Sequence, residues 1–254
     1  MALICEEAGT GTEALVLVHG YLGSSRHWAH QIKRLSRGRR VIAVNLAGFG
    51  ASADLEAPET ISGHAEMVLE TLAGLGLGRF DLLGHSMGGM IVQEMAARAP
   101  ASIRRLILYG TGARGVLPGR FEPIETSRRR LLDEGLAPTA RRIVASWFEA
   151  REAAPGFALC LTEALRANPQ AALASFAAWE GWDGRAALER FAMPTLILWG
   201  DGDRSYPWAQ IELMWRAIAP ARLAVVPGCA HAVHLEKPAI FDALIEDFCA
   251  PVPD

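Results

Sequence analysis

The nine residues Leu82-Leu83-Gly84-His85-Ser86-Met87-Gly88-Gly89-Met90 constrain this chain more than any other stretch. Phe80, Leu82 and Leu83 read as a buried strand. Met90, Ile91, Met95, Ala96 and Ala97 follow a helical pattern that Pro100 closes. A serine is therefore predicted on a very tight turn between a strand and a helix. Glycine two residues before and two after supplies the room that a strained backbone of this kind needs. Such a turn lifts the hydroxyl above the sheet. Free N–H groups at the start of the next helix favour negative charge developing there. The pattern marks Ser86 as a nucleophile on an elbow.

The rest of the chain predicts the sheet that this turn requires. Apolar runs at 14–18, 41–44, 103–109, 195–199 and 223–226 read as strands. Helical patterns around 28–35, 62–73, 208–218 and 239–248 alternate with them. Short glycine-rich links between such elements imply an α/β fold, a mostly parallel sheet with helices on both faces. The lead before Ala14 leaves room for no more than an abbreviated antiparallel hairpin. Glycines at 74, 76 and 78 end a helix and precede a strand, the wrong order for cradling phosphate. At Ala113 the rhythm breaks, and only helices are expected until about Phe191: 125–134, 139–149, 157–167 and 170–180. The expected organisation is a core formed by 1–112 and 192–254, interrupted by a helical insertion at 113–191.

With 254 residues, 51% of them hydrophobic, one large core of this kind is affordable. The net charge of −3 is spread along the chain, which argues against nucleic acid or a membrane surface as partner. The first residues turn acidic too quickly for a signal peptide, and no apolar run is long enough to span a bilayer, so a cytoplasmic protein is expected. Cys5, Cys160, Cys229 and Cys249 lie far apart without metal-ligand spacing and read as reduced thiols, mostly in the core. No metal and no cofactor is implied; the expected partner is a small-molecule substrate.

A serine hydroxyl is a weak nucleophile until an imidazole takes its proton, and that imidazole needs a carboxylate to set its tautomer. The acid is expected in Trp199-Gly200-Asp201-Gly202-Asp203, after a strand: Asp203, or Asp201, which is closer to the strand and better placed to shape the turn. The alternative position after Tyr109 carries Gly110-Thr111-Gly112 and no carboxylate. The base is expected at His231, after the last strand, with His234 as its rival three residues on. His19 is read as a brace for the loop after the first core strand. His85 is read as projecting away from the nucleophile's side of the elbow, and His27, His30 and His64 as solvent or helix-surface residues. Donors for a tetrahedral oxyanion are expected from the backbone N–H groups of Tyr21 and Met87.

Taken together, His19-Gly20-x-x-Gly23, Gly48-x-Gly50-x-Ser52, Gly84-His85-Ser86-Met87-Gly88-Gly89, Gly200-x-x-Asp203 and His231-x-x-His234-Leu235-Glu236-x-Pro238 resemble the α/β-hydrolase superfamily. The resemblance spans nearly all the sheet-forming chain. It implies that Ser86, Asp203 and His231 occupy the triad positions, Tyr21 and Met87 the oxyanion positions, and the insertion the place of a helical cap. Asn45 and Ala230 depart from the pattern, where aspartate and glycine are usual. Dehalogenases and epoxide hydrolases of the superfamily use an aspartate nucleophile, which Ser86 excludes. The expected activity is hydrolysis of a small, largely apolar ester or lactone through an acyl-enzyme on Ser86. The alternatives are a C–C hydrolase of the ring-fission type, a cofactor-free lyase, or a non-catalytic receptor with the same fold. Within the cap, Trp147, Trp179 and Trp182 are the substrate-pocket candidates. Arg128, Arg129, Arg130, Arg141 and Arg142 are either a solvated face or the source of a clamp for a substrate carboxylate.

Overall fold

In the computed structural model, which describes residues 1–116 and 118–250, the apolar runs become strands of one sheet, all inner except the last, at one edge. The first half of the chain supplies β1 (Cys5–Ala8), β2 (Ala14–Val18), α1 (Ala29–Leu35), β3 (Arg40–Val44), α2 (Ile61–Gly74), β4 (Phe80–His85), α3 (Met87–Arg98) and β5 (Ile103–Tyr109). Then come α4 (Ile124–Glu134), α5 (Leu136–Ser146), α6 (Phe157–Ala164), α7 (Pro169–Glu180) and α8 (Arg185–Leu188). The sheet resumes with β6 (Thr195–Gly200), α9 (Trp208–Ala217), β7 (Ala221–Val226), α10 (Val233–Glu236) and α11 (Pro238–Phe248). The strand order is β1-β3-β2-β4-β5-β6-β7, parallel throughout except for β1.

Every residue of β2, β4 and β6 is buried. Helices cover both faces of these strands, so neither face can be polar and no alternation survives. One face packs on Trp28, Ile32, Leu35, Phe241 and Ile245. The other packs on Val68, Leu72, Ile91, Met95, Ile211 and Met214. Burying one such side chain fully is worth about 1.5–3 kcal/mol.

The N-terminal lead does not form a hairpin with the first core strand. β1 instead runs antiparallel to β3, from Cys5 opposite Val44 to Ala8 opposite Val41. The reason is that β3 and β4 already occupy both edges of β2, so the free edge of β3 is the place left for a lead strand.

From β2 the chain passes to β3 on one side and then to β4 on the other. The loops leaving the carboxyl ends of β2 and β4 therefore diverge and open a crevice, the usual ligand site of such sheets. That crevice lies between the 19–25 loop and the Ser86 turn.

The described residues between β5 and β6 add no strand to the sheet. An isolated bridge joins Arg114 to Asp183, and the Gly184 N–H donates to the Ala113 carbonyl at 2.9 Å, so the two ends of the insertion are held together. Its second helix begins at Leu136, earlier than the apolar pattern predicts, because Gly135 at φ 82° supplies the break. Four of the five arginines in these runs meet glutamates, Arg129 being the exception among the described residues: Arg128 meets Glu180 (2.6 Å), Arg141 meets Glu152 (2.6 Å), and Arg130 and Arg142 both meet Glu122 (3.2 Å each). Among the described residues no helix is long and apolar enough to cross a membrane.

Candidate active site

Ser86 sits at φ 56°, ψ −120°, a conformation that costs a residue with a side chain roughly 1–3 kcal/mol. The turn is over-determined by its neighbours. The Ser86 N–H donates to the Tyr109 carbonyl (3.0 Å), and the Thr111 hydroxyl donates to the Ser86 carbonyl (2.8 Å). A Cβ at Gly84 would stand 2.3 Å from the Gly88 carbonyl oxygen, and one at Gly88 would stand 2.4 Å from that of Val18. Backbone cannot yield as a side chain can, so both positions exclude any other residue.

The 19–25 loop presses against Ser86, since a Cβ on Gly20 would lie 3.3 Å from Ser86 Oγ. His19 braces this loop. Its Nδ1 donates to the Gly20 carbonyl (2.8 Å), and its Nε2 accepts the Leu46 N–H (3.0 Å). Burial holds its pKa down to about 4, so it stays a neutral brace. Asn45 ties the same region to the N-terminal strand, accepting the Ser25 N–H (3.0 Å) and donating to the Ile4 carbonyl (3.0 Å). An ionised aspartate could not make the second bond, which accounts for the departure at this position. The backbone N–H groups of Tyr21 and Met87 donate to no acceptor among the described residues.

His231 Nδ1 donates to Asp203 Oδ2 at 2.8 Å, and both side chains are buried. The other Asp203 oxygen accepts the N–H groups of Ser205 (2.7 Å) and Tyr206 (3.2 Å). A carboxylate accepts only, so Nδ1 carries the proton and Nε2 keeps the basic lone pair. Asp201 shapes the turn instead, accepting the Gly228 N–H at 2.7 Å. His234 belongs to a layer behind the site: its Nδ1 lies 2.9 Å from the Tyr109 hydroxyl, which donates to the His231 carbonyl at 2.9 Å. His85 also points into that layer, stacked on Tyr109 with ring centres 4.4 Å apart and its Nε2 donating to the same carbonyl (3.1 Å).

Two histidines differ from their expected surface positions. His64 lies on the buried stripe Ile61, His64, Ala65, Val68 of α2, and His27 lies under Trp147 with ring centres 6.2 Å apart. Helical spacing places His64 on the apolar face whatever its polarity. His27 is turned inward because Ser24 starts the short helical turn 25–28. Burial lowers their pKa values to about 4 and about 3. His30 is exposed and bonds Asp242 at 2.9 Å.

Ser86 faces a narrow cavity of about 20 Å³, lined also by Tyr21, Met90, Gly115, Arg120, Ile143, Trp147, Trp179, Ser205 and Tyr206. This is room for about one water. A larger opening of about 810 Å³ lies between 54–59 and 168–174, but it is wide to solvent and holds no nucleophile. Trp147 and Trp179 thus share a cavity with Ser86, whereas Trp182 is not among its lining residues. The Trp182 indole N–H reaches Glu94 at 3.5 Å, and its ring covers Gly184.

Arg120, Ser205 and Tyr206 escape a motif reading. Their one sequence signal is position, in loops that leave the carboxyl ends of β5 and β6. Tyr206 stacks on His231 (5.7 Å, 20°), and burial pushes its pKa to about 12.

Truncation of Trp147 or Trp179 to alanine is expected to shift kcat/KM ratios between acyl groups by about 10- to 100-fold. Trp182→Ala should lower stability and leave those ratios within about twofold, as expected when a side chain packs away from the cavity. A substrate panel alongside thermal unfolding checks both outcomes.

A family model described as the alpha/beta hydrolase fold matches residues 13–238. A Pseudomonas savastanoi pv. phaseolicola protein assigned as the carbamate hydrolase RutD is 29% identical over 240 residues, covering 92% of each chain. A 2-hydroxy-6-oxo-2,4-heptadienoate hydrolase of Pseudomonas putida is 30% identical over 262 residues, covering 96% of this chain and 91% of its own. Among solved structures, the enol-lactonase of Burkholderia xenovorans superposes with a TM-score of 0.87 at 26% identity, covering 97% of this chain and 95% of the other.

Proposed function

The chain belongs to the α/β-hydrolase fold family, and from that premise we propose that it is a serine hydrolase cleaving a small, largely apolar ester or lactone. The observation that carries this reading is the His231–Asp203 pair at 2.8 Å, with His231 stacked on Tyr206 of the Ser86 cavity and the Tyr21 and Met87 N–H groups meeting no acceptor among the described residues. His231 Nε2 takes the proton of Ser86 as the hydroxyl oxygen attacks the substrate carbonyl. The oxyanion is held by the N–H groups of Tyr21 and Met87, each worth about 3 kcal/mol of barrier stabilisation. His231 then returns the proton to the leaving oxygen, and an acyl group remains on Ser86. Water, deprotonated by the same imidazole, releases the acid and restores the serine. Asp203 holds the imidazole in its productive tautomer throughout.

The insertion 113–191 acts as a cap in this reading. It contributes Ile143, Trp147 and Trp179 to the Ser86 cavity and shields that cavity from bulk solvent. A substrate larger than the cavity enters by displacing the cap.

A second reading is hydrolysis of a C–C bond with the same residues, favoured by the relative that acts on 2-hydroxy-6-oxo-2,4-heptadienoate. Two measurements test the first reading. A fluorophosphonate probe should label Ser86, and short-chain 4-nitrophenyl esters or simple lactones should turn over. Cleavage of a vinylogous diketone acid with no turnover of either would replace it by the second.

A further inference from the structure

We infer that Arg120, with the Tyr21 hydroxyl and the Trp179 indole N–H, forms a subsite beside Ser86 for a carboxylate on the acyl part of the substrate. This inference rests on the hydrolase reading above and narrows it to anionic acyl groups.

Arg120 lines the Ser86 cavity, yet its guanidinium has no carboxylate within 4 Å among the described residues. That sets it apart from Arg128, Arg130, Arg141 and Arg142, each of which meets a glutamate. One Arg120 nitrogen donates to the Glu122 carbonyl at 2.6 Å. The Glu122 carboxylate itself is taken by Arg130, Arg142 and the Ser127 hydroxyl. The guanidinium lies 4.7 Å from the centre of the Phe121 ring and 5.5 Å from that of Trp179, so aromatic faces steer it without neutralising it. Burial lowers its pKa, outweighing the opposing pull of the Glu122 charge. Arginine stays charged in proteins, and a partly desolvated charge is costly until a counter-charge arrives.

The groups around it are donors too. The Tyr21 hydroxyl and the Trp179 Nε1 are buried with no hydrogen-bond partner. Their rings sit 4.9 Å apart, and the Arg120 charge acts on the Tyr21 and Tyr206 hydroxyls. The corner therefore offers a guanidinium, an indole N–H and hydroxyl groups, and no carboxylate among its lining residues. A neutral alkyl chain would leave them all unpaired. A carboxylate supplies two oxygens with about four lone-pair sites and fits a guanidinium fork edge-on. The acyl part of the substrate stays on Ser86 within the enclosed cavity, so the anion belongs on that side of the scissile bond.

The test compares two esters of similar length, 4-nitrophenyl hydrogen glutarate and 4-nitrophenyl pentanoate. The protein should prefer the anionic ester by at least about 10-fold in kcat/KM. Arg120→Gln should lower that ratio by about 30-fold or more, because truncating one partner of a buried charge pair carries a loss of that size. Arg120→Lys should retain part of the preference, and Tyr21→Phe should lower it by about 3- to 10-fold. Should Arg120→Gln not fold, the Lys and Phe variants read the same ratio. In Ser86→Ala protein, glutarate should raise the thermal midpoint, and adding Arg120→Gln should abolish the rise. Equal turnover of both esters, with a ratio unmoved by any of these variants, overturns the subsite and leaves the hydrolase reading standing. No turnover of either ester and no labelling by a fluorophosphonate defeats the hydrolase reading. Glutarate binding that depends on Arg120 would then still support the anion site.

Discussion

Ser86→Ala is expected to lose about 10⁴- to 10⁶-fold in kcat on any good substrate. The loss is this large because the residues of such a triad act as a unit. His231→Ala should be nearly as severe, and adding it to Ser86→Ala should cost little more. Asp203→Asn should lower kcat by about 10⁴-fold, since it presents the wrong tautomer of His231 to the serine. His234→Ala tests the placement of the two histidines from the other side. His234 bonds Tyr109 rather than Asp203, so its removal should lower the thermal midpoint far more than it lowers kcat. The alanine at position 86 keeps the strained backbone, so Ser86→Ala should unfold within a few degrees of the parent. Ser86→Gly should be more stable by about 1 kcal/mol, because glycine adopts φ 56° without a steric penalty. Single-turnover kinetics and calorimetry on the same preparations check all of these. Parent-like kcat in Ser86→Ala would remove the nucleophile assignment.

The second large effect is acid lability. His19, His27, His64, His85 and His234 are all buried, and desolvation is the first cause that lowers the pKa of each. In the unfolded chain these imidazoles titrate near the ordinary value of 6.5. Above that pH both states leave them neutral, so they add no pH dependence. As pH falls below 6.5, the unfolded chain gains protons that the folded protein refuses until about pH 4 at His19 and His64 and about pH 3 at His27. Stability is therefore fully present above 6.5 and is lost as the pH falls towards those values. Each histidine contributes at most about 1.4 kcal/mol per pH unit. Against a total stability of about 5–15 kcal/mol, several of them together should unfold the protein before pH 4. The urea midpoint should be flat from pH 7 to 8 and fall steeply from 6.5 to 5. His64→Leu should reduce that slope by about one proton's worth, because His64 Nε2 has no partner and its ring sits in an apolar stripe. A midpoint that does not move between pH 7.5 and 5 would show that these imidazoles are hydrated in the folded protein.

What could be read from the amino-acid order alone is what depends on neighbours in the chain. The strand, the turn and the helix around Ser86 occupy successive residues, and glycine is forced at 84 and 88 by contacts within or beside that turn. Apolar runs without alternation mark strands covered on both faces, so the parallel sheet was legible as well. Asp203 and His231 were legible as candidates because each follows a strand whose carboxyl end must face the same crevice.

Choosing between neighbours on one loop was different. Asp201 and Asp203 differ by one turn residue, and only the fold shows that one caps Gly228 while the other meets His231. His231 precedes α10 and His234 lies within it, so the two diverge into separate layers around the Tyr109 hydroxyl. The antiparallel lead strand chose β3 because the edges of β2 were already paired, a fact about the assembled sheet. Trp179 and Trp182 stand three residues apart, yet one lines the cavity and the other covers Gly184. Arg120 carries no motif and lies far along the chain from the nucleophile. Its lack of a carboxylate could be seen only once Glu122, Glu152 and Glu180 had met other arginines. Charge pairing and solvent exclusion act through space, over a few ångströms, between residues whose separation in sequence is arbitrary; tertiary packing alone decides them.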